Sequence, residues 1–132
     1  MVKHSKNGLL IIGIVLIGIL SLSGCSNDEE VVEIGISQIV EHPALDAARD
    51  GFIAALEEKG YVEGENIKLR KENAQGDFST AQSIADKFKN DKVDLVLAIA
   101  TPNAQAAANV IKDIPIMITA VTDPVSAGLV ES

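Results

Sequence analysis

Two β-branched, strongly apolar stretches, VVEIGI at 31–36 and VDLVLAIA at 93–100, restrict most what this chain can fold into. Runs of this kind suit strands covered on both faces, as in the interior of a parallel sheet. Parallel neighbours cannot be joined by a hairpin, so long crossovers must lie between them. The chain supplies those crossovers as helices. Pro43 to Lys59 places Leu45, Ala48, Phe52, Ala55 and Leu56 at helical spacing, turns Glu57 and Glu58 outward, and stops at Gly60. Asp77 or Ser79 can cap a second helix to about Asn90, with Ala81, Ile84, Ala85 and Phe88 as its inner stripe.

The remaining segments complete an alternating order. Asn66 to Glu72 alternates Ile67 and Leu69 with Lys68, Arg70 and Glu72, the pattern of a strand near a sheet edge. Asn73 to Asp77 is a polar loop. Thr101 as N-cap with Pro102 at the first helical position begins an alanine-rich helix, Asn103 to Ile111. Ile114 to Ala120 is a fourth strand, with Pro115 at its beginning. The expected architecture is α/β: a doubly wound parallel sheet in the order 2-1-3-4, with a topological switch point between the first and third strands. Ligands in open α/β sheets bind outside the carboxyl ends of the strands at such a point. Ser37–Pro43, Thr101–Asn103 and Thr122–Pro124 are therefore the loops to watch. Gly35, inside the first strand, leaves room for another backbone or a ligand to approach.

Residues 1–24 are set apart from this pattern. Lys3 and Lys6 precede the nearly wholly apolar Leu9–Leu20, and Leu22-Ser23-Gly24-Cys25 follows. That is the layout of a signal peptide. As a helix rising ~1.5 Å per residue, Gly8 to Leu22 would cover roughly 22 Å, short of a ~30 Å hydrocarbon core. The ending resembles a bacterial lipoprotein box, which makes Cys25 the lipidated residue. Ser26–Glu30 then forms a polar tether and 31–132 the folded lobe. Cys25 is the only cysteine, so no internal disulfide can form. The two histidines, His4 and His42, make no metal cluster, and neither metal nor cofactor is expected.

Charge removes further classes. The chain carries 11 basic and 19 acidic residues; without residues 1–24, which hold Lys3 and Lys6 and no acid, 9 face 19, a formal charge of −10. Nucleic-acid binding needs a basic face and is not expected. No phosphate-cradling GxGxxG or GxxxxGK[ST] loop is present, nor a nucleophile elbow.

The segments IGISQIVEHPALDAARDGF, LEEKGYVEGENI, ENAQGD, DLVLAIATPNAQAAAN and IPIMITAVTDPVSAGLV, in that order, resemble the substrate-binding lipoproteins of ABC importers. The resemblance is to the family that includes receptors for tryptophan and other aromatic amino acids. It implies the first lobe of a periplasmic-binding-protein-like type I fold, with the chain stopping where a second lobe would begin. It also implies no enzymatic activity, an amino acid as the solute, a membrane permease as partner, and lipid anchoring at the extracytoplasmic face of the cell membrane. Its cleft loops carry over onto Gln38, Glu41, His42 and Pro43; Thr101, Pro102 and Asn103; and Thr122, Asp123 and Pro124.

The chemistry of these residues admits two readings. Free N–H groups at the helix start, with the Thr101 hydroxyl, suit a ligand carboxylate, and Asp123 or Glu41 suits an α-ammonium. Equally, Thr101-Pro102 is an ordinary capping pair, Asp123-Pro124 favours a turn, and His42 is a restricted residue before proline. Phe52, Phe78 and Phe88 are expected in packing. Two other function classes fit the scaffold: a flavodoxin-like enzyme, against which the missing motifs count, and the effector lobe of a regulator, which an export signal opposes.

Overall fold

The computed structural model describes residues 31–131. Expectations for the signal segment, Cys25 and the tether lie outside the described residues. Strands β1 (Val32–Gln38), β2 (Ile67–Asn73), β3 (Leu95–Ile99) and β4 (Ile116–Thr119) alternate with helices α1 (Pro43–Glu58), α2 (Phe78–Asp91) and α3 (Thr101–Val110). The sheet is wholly parallel with order β2-β1-β3-β4. This is the doubly wound sheet that the crossover lengths predict, with β2 at an edge.

Alternation along β1 sends side chains to two layers. Ile34 and Ile36 join Ile67, Leu69, Leu97 and Ile99 in an apolar cluster under α1, where Leu45, Phe52, Ile53 and Leu56 give partial cover. On the other face Val96 and Ala98 pack with Ala81, Ile84, Ala85 and Phe88 of α2 and with Ala104, Ala106 and Ala107 of α3. Phe88 is fully buried, and burying a phenyl side chain of this size contributes about 1.5–3 kcal/mol.

Several expectations need correction. Gly35 admits neither a backbone nor a ligand: a Cβ there would lie 2.7–2.9 Å from the Phe88 ring, so the gap is filled by that ring. β1 does not break at Ser37; it continues through Gln38, and both residues are buried. In α1 no residue is fully buried, and Ile53 rather than Ala55 turns toward the sheet. Phe78 is 42% exposed at the start of α2, not part of the packing. Thr101 is the first residue of α3 and not its cap; the N-cap is Ala100, with φ 77° and ψ 156° and no side-chain hydrogen bond. Asp77 does cap α2, its Oδ1 accepting from Thr80 N at 2.6 Å.

The outer part of the α2 face, beside β2, is polar. Glu33 accepts from Lys68 at 2.9 Å and Arg70 at 2.6 Å, and Arg70 reaches on to Asp91 at 2.9 Å. Lys87 pairs with Glu72 further along. These donors, Lys68 first and then Arg70, hold the Glu33 carboxyl below the usual glutamate range. At the other edge, β4 leaves Met117 exposed.

Candidate functional site

The loops singled out from the sequence leave one rim of the sheet, at the carboxyl ends of adjacent strands. In register, Ser37 lies opposite Ala98 and Gln38 opposite Ile99, so β1 and β3 end together. β4 ends beside them, with Ile99 opposite Thr119 and Ala100 N donating to Thr119 O at 3.0 Å. The β1–α1 loop, the start of α3 and the segment after β4 are thereby brought to a common rim.

Each loop is held by a different local device. In the β1–α1 loop, Gln38 Nε2 donates to Val40 O and to Asp46 Oδ1, both at 2.8 Å. Arg49 Nη1 reaches Gln38 Oε1 at 3.4 Å and Asp46 Oδ1 at 3.3 Å. The Gln38 amide thus shapes the loop from within. His42, exposed, is the N-cap of α1, its Nδ1 accepting from Ala44 N at 3.2 Å, and Pro43 opens the helix. Glu41 is exposed on the same loop.

At the start of α3, Pro102 has no N–H and Ala104 N already donates to Ala100 O at 3.1 Å. The first turn therefore leaves the N–H of half-buried Thr101 at the positive end of the helix, while Asn103 is buried. Because Thr101 is not the cap, no capping bond engages its hydroxyl. The Asn103 side chain lies in the interior. Its Nδ2 donates to Ser37 Oγ across the switch point, and its Oδ1 is buried without a partner.

After β4, Thr122 and Asp123 are exposed and Pro124 is half-buried. Asp123 accepts from Ser126 N at 2.9 Å and from Ser126 Oγ at 2.7 Å. These bonds, the backbone one foremost, keep its carboxyl below the ordinary aspartate range, so Asp123 presents a negative charge at neutral pH.

On its β2 side the rim also includes residues that the sequence did not single out, Lys71 and Glu72 among them. A groove of about 190 Å³ is lined by Ile36, Gln38, Glu41, Arg49, Lys71, Glu72 and Asn73. A neighbouring hollow of about 330 Å³ is lined by Val40, Glu41, Asn73 and Gln75. The first lies over the ends of β1 and β2 beside Arg49 of α1, and the second between the loops that follow those strands. At the switch point Ser37 and Asn103 are joined by their side-chain bond. Gly76 N donates to Ile39 O at 2.6 Å and ties these two loops together. Gln38 and Glu41 are sequence-predicted residues of this region; for its β2 side, the polar Asn73–Asp77 loop was the sequence signal. Among the described residues no group of three or more His, Cys, Asp or Glu could hold a metal ion, and no helix is long and apolar enough to cross a membrane.

A parallel sheet in this order gathers its loops at the carboxyl rim, the place where open α/β sheets take ligands. Residues 33–132 match the sequence model of the ABC transporter substrate binding protein family, and the chain belongs to that family. It is 54% identical, over 146 aligned positions, to a protein named tyrosine-binding protein from Clostridioides difficile strain R20291. The alignment covers all of this chain and 42% of that relative.

Solved structures agree. A ligand-free, open substrate-binding protein with adhesive properties from Clostridium difficile is 63% identical with a TM-score of 0.76, over 77% of this chain and 35% of that one. A conserved domain protein from Vibrio cholerae O1 biovar El Tor gives 48% and 0.77, over 78% and 35%. A Streptococcus protein described as an ABC domain in complex with L-Trp gives 39% and 0.68, over 75% and 33%. The chain spans less than half the length of these relatives.

Proposed function

We propose that residues 31–132 are the N-terminal lobe of a solute-binding component of an ABC importer, and that the solute is an aromatic amino acid. The observation that carries this reading is the convergence of the β1, β3 and β4 loops on one rim, with the first turn of α3 at the switch point. The Thr101 N–H and hydroxyl at the start of α3 receive the ligand carboxylate, with buried Asn103 anchoring that turn to β1. Asp123 or Glu41 receives its α-ammonium, and Gln38, His42, Pro43, Pro102, Thr122 and Pro124 build the loops around them. The names of the tyrosine-binding relative and of the L-Trp complex support an aromatic solute. The lobe performs no chemistry on the solute. A second lobe closes over it, and one lobe by itself binds weakly because it makes only half of the contacts. Delivery is to a permease, from the extracytoplasmic face of the membrane, where residues 1–24 have been removed as a signal peptide, 25–30 act as tether and lipid on Cys25 anchors the protein.

Ligand-observed NMR tests the solute. Saturation transfer to L-tyrosine or L-tryptophan, absent with tyramine, is the expected result; an equal response from tyramine, which lacks the carboxylate, rejects the anion site. Thr101→Ala should weaken the response about threefold to tenfold, the worth of one hydrogen bond. Labelling of cells with radioactive palmitate tests the anchor: label lost in Cys25→Ala is expected, and an unlabelled wild-type product rejects lipidation.

A further inference from the structure

We propose that the left-handed backbone of Ala100 is a positioning element of the binding rim, holding the first turn of α3 in one orientation at a cost in fold stability. This deepens the reading above and rests on it. Among the described residues, the non-glycine positions with positive φ are Gln75 (54°), Lys92 (55°), Ala100 (77°) and Ala120 (54°). Lys92 is the C-cap of α2, an ordinary place for such a residue. The other three follow the carboxyl ends of β2, β3 and β4. Glycine serves instead at Gly60, Gly64, Gly76 and Gly128. Left-handed residues that carry a Cβ are thus gathered, Lys92 aside, at the rim where the ligand is placed.

Ala100 departs furthest from ordinary backbone. Its φ of 77° and ψ of 156° fall in the region that glycine alone enters freely. Such a conformation persists only where the surroundings over-determine it, and here they do so from three directions. Ala100 N donates to Thr119 O on β4, Ala100 O accepts from Ala104 N in α3, and the Asn103 side chain is bonded to Ser37 on β1. Ser37 and Asn103 are 4% and 1% exposed, so this last bond is shielded from water. A glycine at position 100 would relieve the strain, but it would also admit other directions for the peptide that follows. Alanine removes those alternatives. The Thr101 N–H and hydroxyl are then aimed before a ligand arrives, and less ordering remains to be done on binding.

The test is Ala100→Gly in the full chain, read by thermal melting, amide hydrogen exchange and titration with L-tyrosine followed by amide shifts. Three results are expected together: a melting temperature that holds or rises, by up to roughly 8 °C; exchange faster by about fivefold or more at Ala104, whose N–H is bonded to Ala100 O, and at Gln105 in the next position of the helix; and a weaker response to L-tyrosine. A purely structural residue would move stability and binding in the same direction, so their opposition is the signature. Unchanged exchange at Ala104 and Gln105, or a melting temperature that falls along with the ligand response, overturns the proposal. If wild type shows no response to any amino acid, the functional reading fails, and exchange and melting still decide whether Ala100 aims the helix start.

Discussion

The two faces of the sheet are built differently. On the α2–α3 face the stripe Ala81, Ile84, Ala85 and Phe88 is buried, and Phe88 fills the space that Gly35 leaves open. On the α1 face six apolar strand residues are covered by a helix that has no fully buried residue of its own. The well-packed face sets the frame. The α1 face carries the part of the rim where Gln38, Asp46 and Arg49 tie the loop to the helix. The rim draws on both layers: the β1–α1 loop rises from the loosely covered face, and the first turn of α3 from the well-packed one.

Paired truncations should expose that asymmetry most strongly. Phe88→Ala is expected to cost about 3–5 kcal/mol, the range for a buried phenylalanine, whereas Phe52→Ala on the half-buried α1 face should cost about 1–2 kcal/mol. Urea unfolding of both variants decides it, and equal losses would erase the contrast. Gly35→Ala comes next. The new methyl must displace the Phe88 ring, and overpacking of this kind costs about 1–3 kcal/mol. If Gly35→Ala leaves stability unchanged, the ring does not occupy the gap.

The smallest effect is electrostatic. Glu33 and Asp77 both have carboxyls held below their ordinary values, Glu33 chiefly by Lys68 and then Arg70, Asp77 chiefly by the Thr80 N–H. A depressed folded-state value means that the stabilisation is fully present above the unfolded value and is lost as pH falls through the folded one. Melting temperature should therefore drop on acidification below the ordinary carboxylate range, and Glu33→Gln and Asp77→Asn should each flatten the drop. An unaltered acid slope in both variants would show that these pairs contribute nothing measurable.

Much of the frame was legible in the residues themselves. The period of Ala81, Ile84, Ala85 and Phe88 names the face of α2 directly, and the alternation of Ile67 and Leu69 with charged residues marks β2 as an edge. Asp77 reads as a cap because its short carboxylate does what a cap requires. The site was less legible for physical reasons. Nothing in an alanine announces a positive φ, so Ala100 was hidden behind the more familiar Thr101-Pro102 pair. The Ser37–Asn103 bond joins residues 66 positions apart, beyond any local pattern. Gln38 reads as a loop residue, yet its amide is consumed in shaping the loop. The grooves beside Asn73 and Gln75 depend on how two loops lie together, which no single segment encodes.

Mapping backbone amide shifts of the full chain during titration with L-tyrosine bears most directly on the account. Movement concentrated at residues 38–43, 101–104 and 120–124 is the predicted outcome. Shifts that gather instead at the opposite end of the sheet, around Asp94 and Asp113, would contradict it.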